Sequence, residues 1–207
     1  MRYDNEKLFP EVFPIMTINE CRTHGLACQN CGLRSGCTQV VFDDGIPDAP
    51  IWLVGEAPGA SEDMQGLPFV GKSGQLLDQF LEAAGLSRKK NVYITNIVKC
   101  RPPQNRDPLP EERDACMIWL RRQFALLHPR IVVCLGRIAA QKLIRPDFSV
   151  TKEHGRWEEK NGTLFTATWH PAALLRYPEN KTTSFGDYIE IRNKAHLICP
   201  EFFEQNS

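Results

Sequence analysis

The hydrophobic residues of this chain gather in short runs that are separated by longer amphipathic segments. Four runs are continuously apolar or rich in β-branched and aromatic residues; they span residues 51–54, 91–97, 131–135 and 164–169. Such runs predict the strands of a parallel sheet, because strands of that kind are buried on both faces. The chain is therefore expected to build its core around four parallel strands.

Amphipathic helices are predicted between these strands, from apolar residues that recur at helical spacing. Ser73 is expected to cap one helix, and Pro110, with acidic residues behind it, to start another. The helices are expected at residues 73–85, 110–127 and 137–144, after Pro171, and at residues 187–198. This alternation predicts a three-layer α/β/α fold with a central four-stranded parallel sheet.

The beginning of the chain differs from the rest. Residues 1 to about 27 contain Pro10 and Pro14 and show no sustained period. We therefore expect an N-terminal extension over residues 1–25 and a single domain over residues 26–207.

Charge and targeting signals limit the class of protein. The 25 basic and 25 acidic residues give a net charge of zero, which argues against a protein held on nucleic acid by charge alone. No uncharged apolar stretch approaches the ~18 residues of a membrane span, and the N-terminus lacks the pattern of a secretion signal. A cytoplasmic protein without a membrane partner is expected.

Four cysteines form two groups that are far apart in sequence. Cys28 and Cys31 are a C-x2-C pair, and Cys100 and Cys116 follow much later. A C-x2-C pair places two sulfurs on one turn, and four thiolates suit either Zn²⁺ or an iron–sulfur cluster. The spacing does not choose between them.

The other cysteines carry weaker signals. Cys21 and Cys37 flank the first pair and are alternative ligands, whereas Cys134 lies in an apolar run where a buried, inert thiol is expected. The even total of eight is compatible with disulfides. A reducing cytosol favours metal binding instead.

Parallel sheets bind ligands at the carboxyl ends of their strands. That rule brings four segments to one edge: residues 55–59 (GEAPG), the residues after Asn96, residues 136–137, and residues 170–171. Candidate catalytic and binding residues are therefore expected at this edge of the sheet.

The segment after the first strand offers a sharp glycine turn with a carboxylate, Glu56, and an aromatic residue, Phe69, on a loop rigidified by proline. Exposed backbone N–H groups there suit an oxyanion or the carbonyls of a planar ligand, and Phe69 suits stacking on a base. The alternative is an ordinary phosphate-binding turn with Phe69 in the core. Residues 66–73 match the Walker A string, but no strand precedes them, so that motif fails its structural context.

Two further strand ends carry polar side chains. Asn96 offers one donor and one acceptor, which suits a nucleobase edge, although an Asn at this position usually caps a turn. His170 is suited to donate to developing negative charge. Behind it, Leu174 and Leu175 on a short exposed turn suit a wedge in a base stack, and Arg176 suits a phosphate contact; the alternative is a helix-capping histidine followed by core leucines.

The ordered motifs CQNC, GEAPGASED, PFVGKSGQLLD, ITNIVKCRPPQNRDPLPEE, Cys116, CLGRIAAQKL and HPAALLR resemble the family 4 uracil-DNA glycosylases, the iron–sulfur branch of the uracil-DNA glycosylase superfamily. The resemblance spans roughly residues 26–200. It implies the uracil-DNA glycosylase fold and hydrolysis of the bond between uracil and deoxyribose in DNA. A monomer that acts on uracil-containing DNA in the nucleoid is then expected.

The resemblance also implies roles for individual positions. Glu56 and His170 would be catalytic, the first stabilising the sugar cation or orienting water and the second donating to uracil O2. The base would be bound by Gly55, Glu56, Ala57, Glu62, Phe69, Asn96 and His170, with Glu62 at the position where sister families exclude thymine. Leu174 and Arg176 would contact DNA. Cys28, Cys31, Cys100 and Cys116 would hold a [4Fe-4S] cluster.

Three rival functions follow from the same residues. The first is a non-catalytic nucleic-acid-binding member of the superfamily, against which the presence of Glu56, Asn96 and His170 argues. The second is an iron–sulfur redox protein, in which the pocket motifs would have no use. The third is a zinc-stabilised hydrolase.

Overall fold

The structure is a computed structural model that describes residues 16–203. Its centre is a six-stranded mixed sheet with the strand order β1-β3-β2-β4-β6-β5. The strands are β1 (Asp44–Gly45), β2 (Ile51–Gly55), β3 (Val92–Asn96), β4 (Ile131–Leu135), β5 (Glu158–Lys160) and β6 (Thr163–Thr168). The four predicted strands are confirmed as the parallel centre, β3-β2-β4-β6.

The two edge strands were not predicted. β1 and β5 pair antiparallel with β3 and β6. Their sequences, DG and EEK, are short and polar, so neither forms the apolar run that marks a buried strand. Charged, very short edge strands also hinder pairing with other chains.

Helices cover both faces of the sheet. They are α1 (Ile18–Leu26), α2 (Leu33–Gly36), α3 (Ala60–Gln65), α4 (Lys72–Ala83), α5 (Pro110–Leu127), α6 (Arg137–Leu143), α7 (Val150–Glu153), α8 (Pro171–Arg176) and α9 (Lys181–Ile198). The predicted bounds of α5 are confirmed. The predicted cap of α4 is wrong: Gly71 is the N-cap and Ser73 lies inside the first turn.

The N-terminal segment is more ordered than predicted. α1 begins after Thr17, whose side chain and that of Glu20 form a reciprocal capping box. The helix was missed because it buries only Cys21 and Gly25 and is otherwise polar. The rest of the expected extension, residues 1–15, lies outside the described residues.

Successive side chains of a strand point to opposite faces of the sheet, and two hydrophobic clusters follow from this. Trp52 and Tyr93 face α5 in one cluster, and Leu53 and Ile94 face α4 and α9 in the other. The three-layer fold is therefore confirmed. Cys134 is fully buried in the first cluster, and no helix of the described residues is long and apolar enough to cross a membrane.

Candidate active site

A cleft of about 710 Å³ opens at the carboxyl ends of the parallel strands. In-register pairing of Gly55 with Asn96 and of Leu135 with Thr168 brings these strand ends to one edge. Of the residues that the sequence placed in a substrate or DNA site, the cleft is lined by Glu56, Ala57, Glu62, Phe69, Asn96, His170 and Arg176. Residues separated by more than 100 positions thus meet at one site.

Gly55 is buried at the end of β2 and does not itself line the cleft, but two predicted base-binding side chains that do line it converge on Gly55. A Cβ at this position would come within 2.3 Å of Asn96 Oδ1 and 2.6 Å of Phe69 Cζ. Any side chain would push them apart, since real Cβ contacts are not this short. Glycine is therefore required at position 55, because it lets the side chains of Asn96 and Phe69 pack closely together.

Phe69 is held in a backbone conformation that bulky residues avoid. Its φ is +54°, in the left-handed region that is costly for such a residue. The Arg88 guanidinium donates to the carbonyls of Pro68 (3.1 Å) and Phe69 (3.0 Å) and so fixes this turn. The ring is 5% exposed and its centroid lies 5.5 Å from that of His170. Phe69 is thus both buried and part of the cleft wall.

Glu62 connects the two loops of the cleft. Its Oε1 accepts from the backbone N–H groups of Val70 and Gly71, both at 2.9 Å, and its Oε2 accepts from Gly59 N–H at 3.2 Å. Both carboxylate oxygens are therefore engaged by backbone. These bonds do not favour the expected contact between Glu62 and the base. They instead make Glu62 a support for the loops that carry Glu56 and Phe69.

Asn96 has an unsatisfied hydrogen-bonding atom. The residue is 1% exposed, and its Oδ1 has no partner within the described part of the chain. A buried acceptor left unpaired costs about 1–3 kcal/mol, so such an atom at a cleft wall points to a ligand with a donor. The sequence-based alternative, an Asn that caps a turn, does not account for it.

A buried lysine fixes the backbone of Asn96. The Lys99 ammonium donates to Asn96 O (3.0 Å), to Gln123 Oε1 (2.8 Å) and to Thr95 Oγ1. Burial lowers the pKa of Lys99 to about 8. Three acceptors around one ammonium make the end of β3 rigid.

His170 caps α8 and is kept neutral. Its Nδ1 accepts from the Ala172 N–H at 3.2 Å, so in the neutral ring the proton is on Nε2, where it is available to a ligand. Burial lowers the pKa of His170 to about 4. Gly136 (φ +89°) allows the ring to pack closely, since a Cβ there would lie 2.8 Å from His170 Cβ.

Glu56 has a strongly perturbed carboxyl group. Its pKa is raised to about 7, first by burial and then by the neighbouring Asp107 carboxylate, against the opposing effects of Arg137 and Arg113. Perturbed carboxyls in a cleft are typical of sites that handle charge or protons. Glu56 therefore changes protonation close to neutral pH.

The predicted wedge residue is buried. Leu174 is 1% exposed, whereas Leu175 is 44% exposed and Tyr177 57% exposed. α8 packs against α4, which leaves Leu174 on the inner face and Leu175 on the outer one. The predicted exposure is wrong for Leu174 and confirmed for Leu175. The alternative of a capping histidine followed by a core leucine is confirmed at His170 and Leu174. Arg176 is exposed beside the cleft.

The four predicted metal ligands share one small cavity. Cys28 and Cys31, from the loop between α1 and α2, line it together with Cys100 and with Cys116 of α5. Leu33, Val40 and Trp119 supply apolar walls, and Asn30, Arg34 and Lys99 also line the cavity. As they stand, the described residues include no group of three or more His, Cys, Asp or Glu side chains placed to hold a metal ion.

The cavity also has hydrogen-bond donors directed at sulfur. The backbone N–H of Lys99 donates to Cys116 Sγ at 3.3 Å, and that of Asn30 to Cys28 Sγ at 3.4 Å. Cys21 is buried in the core and does not line this cavity, and Cys37 lies beside Cys100 outside it. Cys21 is therefore less well placed than the predicted four, whereas Cys37, whose thiol interacts with that of Cys100, stays an alternative ligand.

Comparison with known proteins identifies the family. The family model for the uracil DNA glycosylase superfamily matches residues 42–191. A type-4 uracil-DNA glycosylase of Archaeoglobus fulgidus is 42% identical over 189 residues, which are 86% of this chain and 94% of that protein. The chain belongs to the uracil-DNA glycosylase superfamily.

Other relatives agree with the type-4 resemblance. A type-4 uracil-DNA glycosylase of Thermotoga maritima is 41% identical over 158 residues, or 74% of this chain and 81% of that protein. A type-5 uracil-DNA glycosylase of Thermus thermophilus matches at 42% over only 114 residues, or 48% of this chain and 52% of that protein. The motif-based assignment to the type-4 family is confirmed.

Several residues around this glycosylase cleft were missed in the sequence. Arg88 is remote from the motifs, and Asp107 stands within them without a pattern of its own. Arg137 was placed at the cleft edge by the strand-end rule but was given no role. Trp169 lines the cleft and stacks on His154, with ring centroids 4.0 Å apart. The only available signal was their position at the cleft edge, since Arg137 closely follows a predicted strand and Trp169 ends one.

Proposed function

We propose that this protein removes uracil from DNA by hydrolysing its N-glycosidic bond, leaving an abasic site. The observation that carries the proposal is the unpaired Oδ1 of buried Asn96, beside the Phe69 ring and the His170 Nε2 position. Uracil presents an N3–H donor next to the O4 acceptor, which matches an Asn amide. Cytosine presents the reverse pattern and would leave Oδ1 unpaired, which is how such sites discriminate.

The base would lie between the glycine turn and the aromatic ring. Phe69 is already fixed by Arg88 and by the loop that Glu62 holds, so stacking requires little further ordering. The backbone of residues 55–57 would meet the carbonyls of uracil. Glu62 would act through the loops as a positioning residue.

His170 would stabilise the leaving base. When the bond to C1′ breaks, its electron pair leaves with uracil, and negative charge develops at O2. A neutral imidazole with Nε2–H can donate to that oxygen, and the bond strengthens as the charge grows. The low pKa of His170 keeps the ring a neutral donor rather than an acid near pH 7.

Glu56 would act on the sugar side. An oxocarbenium-like transition state places positive charge on the sugar ring, and a carboxylate beside it lowers the energy of that state. The same carboxylate can orient the water that attacks C1′. The hydrolysis requires Glu56 to be ionised, so its pKa near 7 sets a lower pH limit for activity.

DNA binding would use the exposed edge of α8. Extrusion of the nucleotide costs a few kcal/mol in lost stacking and pairing, and an apolar side chain that fills the vacated stack offsets part of this. Leu175 and Tyr177 have the required exposure, in place of Leu174. Arg176 would contact a phosphate.

We propose that Cys28, Cys31, Cys100 and Cys116 hold a [4Fe-4S] cluster. Soft thiolates from four positions, apolar walls and N–H groups directed at sulfur are the environment that such clusters occupy. Because glycosidic hydrolysis transfers no electrons, the cluster would tie the α1–α2 loop to α5.

The test is a cleavage assay on a labelled oligonucleotide with one uracil, followed by alkali to break abasic sites. Cleavage of the uracil strand, with none of a matched thymine strand, is expected. Stoichiometric binding of the uracil strand without abasic product would instead establish the non-catalytic rival. We expect the active protein to be a monomer, which sedimentation of the same sample checks.

A further inference from the structure

A second aromatic side chain, that of Trp169, lines the cleft in addition to Phe69. Trp169 directly follows β6 and is half-buried. The next residue, His170, contacts the Phe69 ring, with ring centroids 5.5 Å apart. A cleft of about 710 Å³ has room for more than one flat base, because a pyrimidine ring is no larger than the ring of Phe69. The space that remains beside the base is therefore bordered by an indole.

A buried carboxylate holds Trp169 from two sides. Asp187 of α9 accepts at 2.6 Å from the hydroxyl of Thr168, the residue before Trp169. The same carboxylate accepts from His154 Nδ1, which lies 2.9 and 3.1 Å from its two oxygens. The His154 ring in turn packs on the indole, with centroids 4.0 Å apart. Trp169 is thus fixed both through its backbone and through the ring that it contacts.

The polar groups behind Trp169 are buried and paired. Thr168 and Ser184 have no exposed surface, and Asp187 is 8% exposed. Because Thr168 gives its only hydroxyl proton to Asp187, Ser184 Oγ donates to Thr168 Oγ1 at 3.0 Å. The loop after α7 is tied to β6 by the Gly155 N–H, which donates to Ala167 O at 2.9 Å. Buried networks that are fully paired make the segments they join rigid, and here the segment carries a residue of the cleft wall.

Two guanidinium groups line the same cleft as Trp169. Arg137 is 56% exposed and pairs with Asp107. Arg176 is exposed, and within residues 16–203 it has neither an ion pair nor a hydrogen bond. An aromatic ring in a groove with cations is the arrangement by which proteins bind single-stranded nucleic acid, since the ring stacks on a base and the cations meet phosphates.

We propose that Trp169 stacks on the nucleotide next to the extruded uracil, and that His154 and Asp187 are positioning residues for its ring. This inference rests on the proposed function in requiring that the cleft binds DNA. Phe69 would take the uracil, and Trp169 would take the neighbouring base of the same strand. The contact would be independent of which base that is, because every base has a flat face.

The experiment is a binding titration with a single-stranded oligonucleotide that carries tetrahydrofuran, an abasic analogue, in place of the uridine. No base then occupies the Phe69 site, so the affinity depends on the neighbouring nucleotides. Trp169→Ala is expected to weaken binding by about tenfold, and Trp169→Phe by about twofold or less, because phenylalanine keeps a flat ring. Equal affinities of the wild type and Trp169→Ala overturn the proposal.

A second oligonucleotide tests whether the neighbouring base is the partner. It carries tetrahydrofuran at the uridine position and at the nucleotides on both sides. The wild type should bind it no more tightly than Trp169→Ala does, because no base is left for the indole to stack on. A loss in Trp169→Ala as large as on the first oligonucleotide overturns the proposal, since Trp169 would then act on the backbone or on the fold.

Tryptophan emission reports the contact directly. Binding of the first oligonucleotide should quench the emission of the wild type, and Trp169→Phe should abolish this change. Trp157→Phe is the control and should keep the change, because Trp157 is also half-buried but packs on the second hydrophobic cluster and does not line the cleft. Quenching that survives in Trp169→Phe overturns the contact.

Asp187→Asn tests the positioning role. Asparagine keeps an acceptor for Thr168 but loses the charge that strengthens the bond from His154. Binding of the first oligonucleotide should weaken by about threefold, and the same change in a Trp169→Ala background should have no further effect. An equal loss in both backgrounds overturns the positioning role, because Asp187 would then act without Trp169.

These measurements are separate from uracil release. Binding that depends on Trp169, without formation of an abasic site from a uracil strand, would refute only the proposed function. Uracil release together with wild-type binding by Trp169→Ala would refute only this inference. Failure of the wild type to bind either oligonucleotide or the uracil strand would refute both.

Discussion

The cleft and the cysteine cavity are neighbours, but they differ in whether their polar groups have hydrogen-bond partners. Asn96 lines the cleft, and Cys100, four residues later, lines the cysteine cavity. In the cleft, Asn96 Oδ1 is unpaired and Phe69 has a strained backbone. In the cavity, apolar walls surround thiols that accept backbone hydrogen bonds. In the proposed function, the first region gives up stability for recognition of the base, and the second stabilises the fold.

Lys99 connects the two regions. Its side chain supports the Asn96 carbonyl, while its backbone N–H donates to Cys116 Sγ. The rigidity of Asn96, the proposed base-reading residue, therefore depends on the wall of the cysteine cavity. Substitutions in the cleft should change chemistry with little effect on stability, and substitutions in the cavity should do the reverse.

The largest effect on chemistry is expected from His170→Ala. Loss of the donor to uracil O2 should lower the single-turnover rate by about 10²–10³-fold. Binding of uracil-containing DNA should stay close to that of the wild type, and stability should fall by only about 1 kcal/mol, for the lost cap of α8. His24→Ala, which alters an exposed histidine of α1, is the control. A wild-type rate in His170→Ala would remove this residue from the mechanism.

Asn96→Leu separates recognition from stability most sharply. Leucine has nearly the same shape and lacks the unpaired acceptor, so the free energy of unfolding should be unchanged or higher. Uracil excision should fall by about 10²-fold or more, because a site built for a polar edge is lost. Denaturant unfolding and single-turnover rates measure the two quantities. A clear loss of stability would show that Oδ1 has a partner in the folded protein.

The cysteine cavity should respond in the opposite way. Cys100→Ala removes a proposed cluster ligand, and the free energy of unfolding should fall by about 3 kcal/mol or more, since metal binding contributes directly to folding. The rate per folded molecule should be retained. Cys134→Ala, at a buried thiol outside the cavity, should keep the visible absorption of the cluster. If Cys100→Ala is as stable as Cys134→Ala, the cavity is not a structural centre.

A smaller contrast is expected between two adjacent leucines. Leu174→Ala removes a buried side chain and should cost about 2–5 kcal/mol of stability. Leu175→Ala should leave stability unchanged, because Leu175 is 44% exposed, and should weaken excision from duplex more than from single-stranded DNA. Thermal melts and paired excision assays test this. Equal excision by Leu175→Ala and wild type on duplex would exclude Leu175 as the wedge.

The central sheet and the cleft position could be predicted because apolar runs report burial on both faces. β2 and β4 stood out as runs bounded by glycine, and their ends placed Glu56 and Gly136 at one edge. β1 and β5 could not be predicted, since their pairing is decided by β3 and β6 rather than by their own polar sequences.

Side-chain direction was harder to predict than chain path. Leu174 and Leu175 are identical residues on one short helix, and only the packing of α8 on α4 decides which is exposed. The ion pair between Asp107 and Arg137 joins residues 30 positions apart, one of them in a loop without periodicity. Such contacts depend on how loops close over the sheet, which local patterns do not encode.

The most direct test of the account is abasic-site formation in a uracil-containing duplex, compared between wild type and Asn96→Leu at equal concentrations of folded protein. The account predicts cleavage of the uracil strand by the wild type, none of a matched cytosine strand, and a loss of about 10²-fold in the equally stable variant. Equal uracil cleavage by both proteins, or none by the wild type, would contradict the assignment of the cleft as a uracil-reading site.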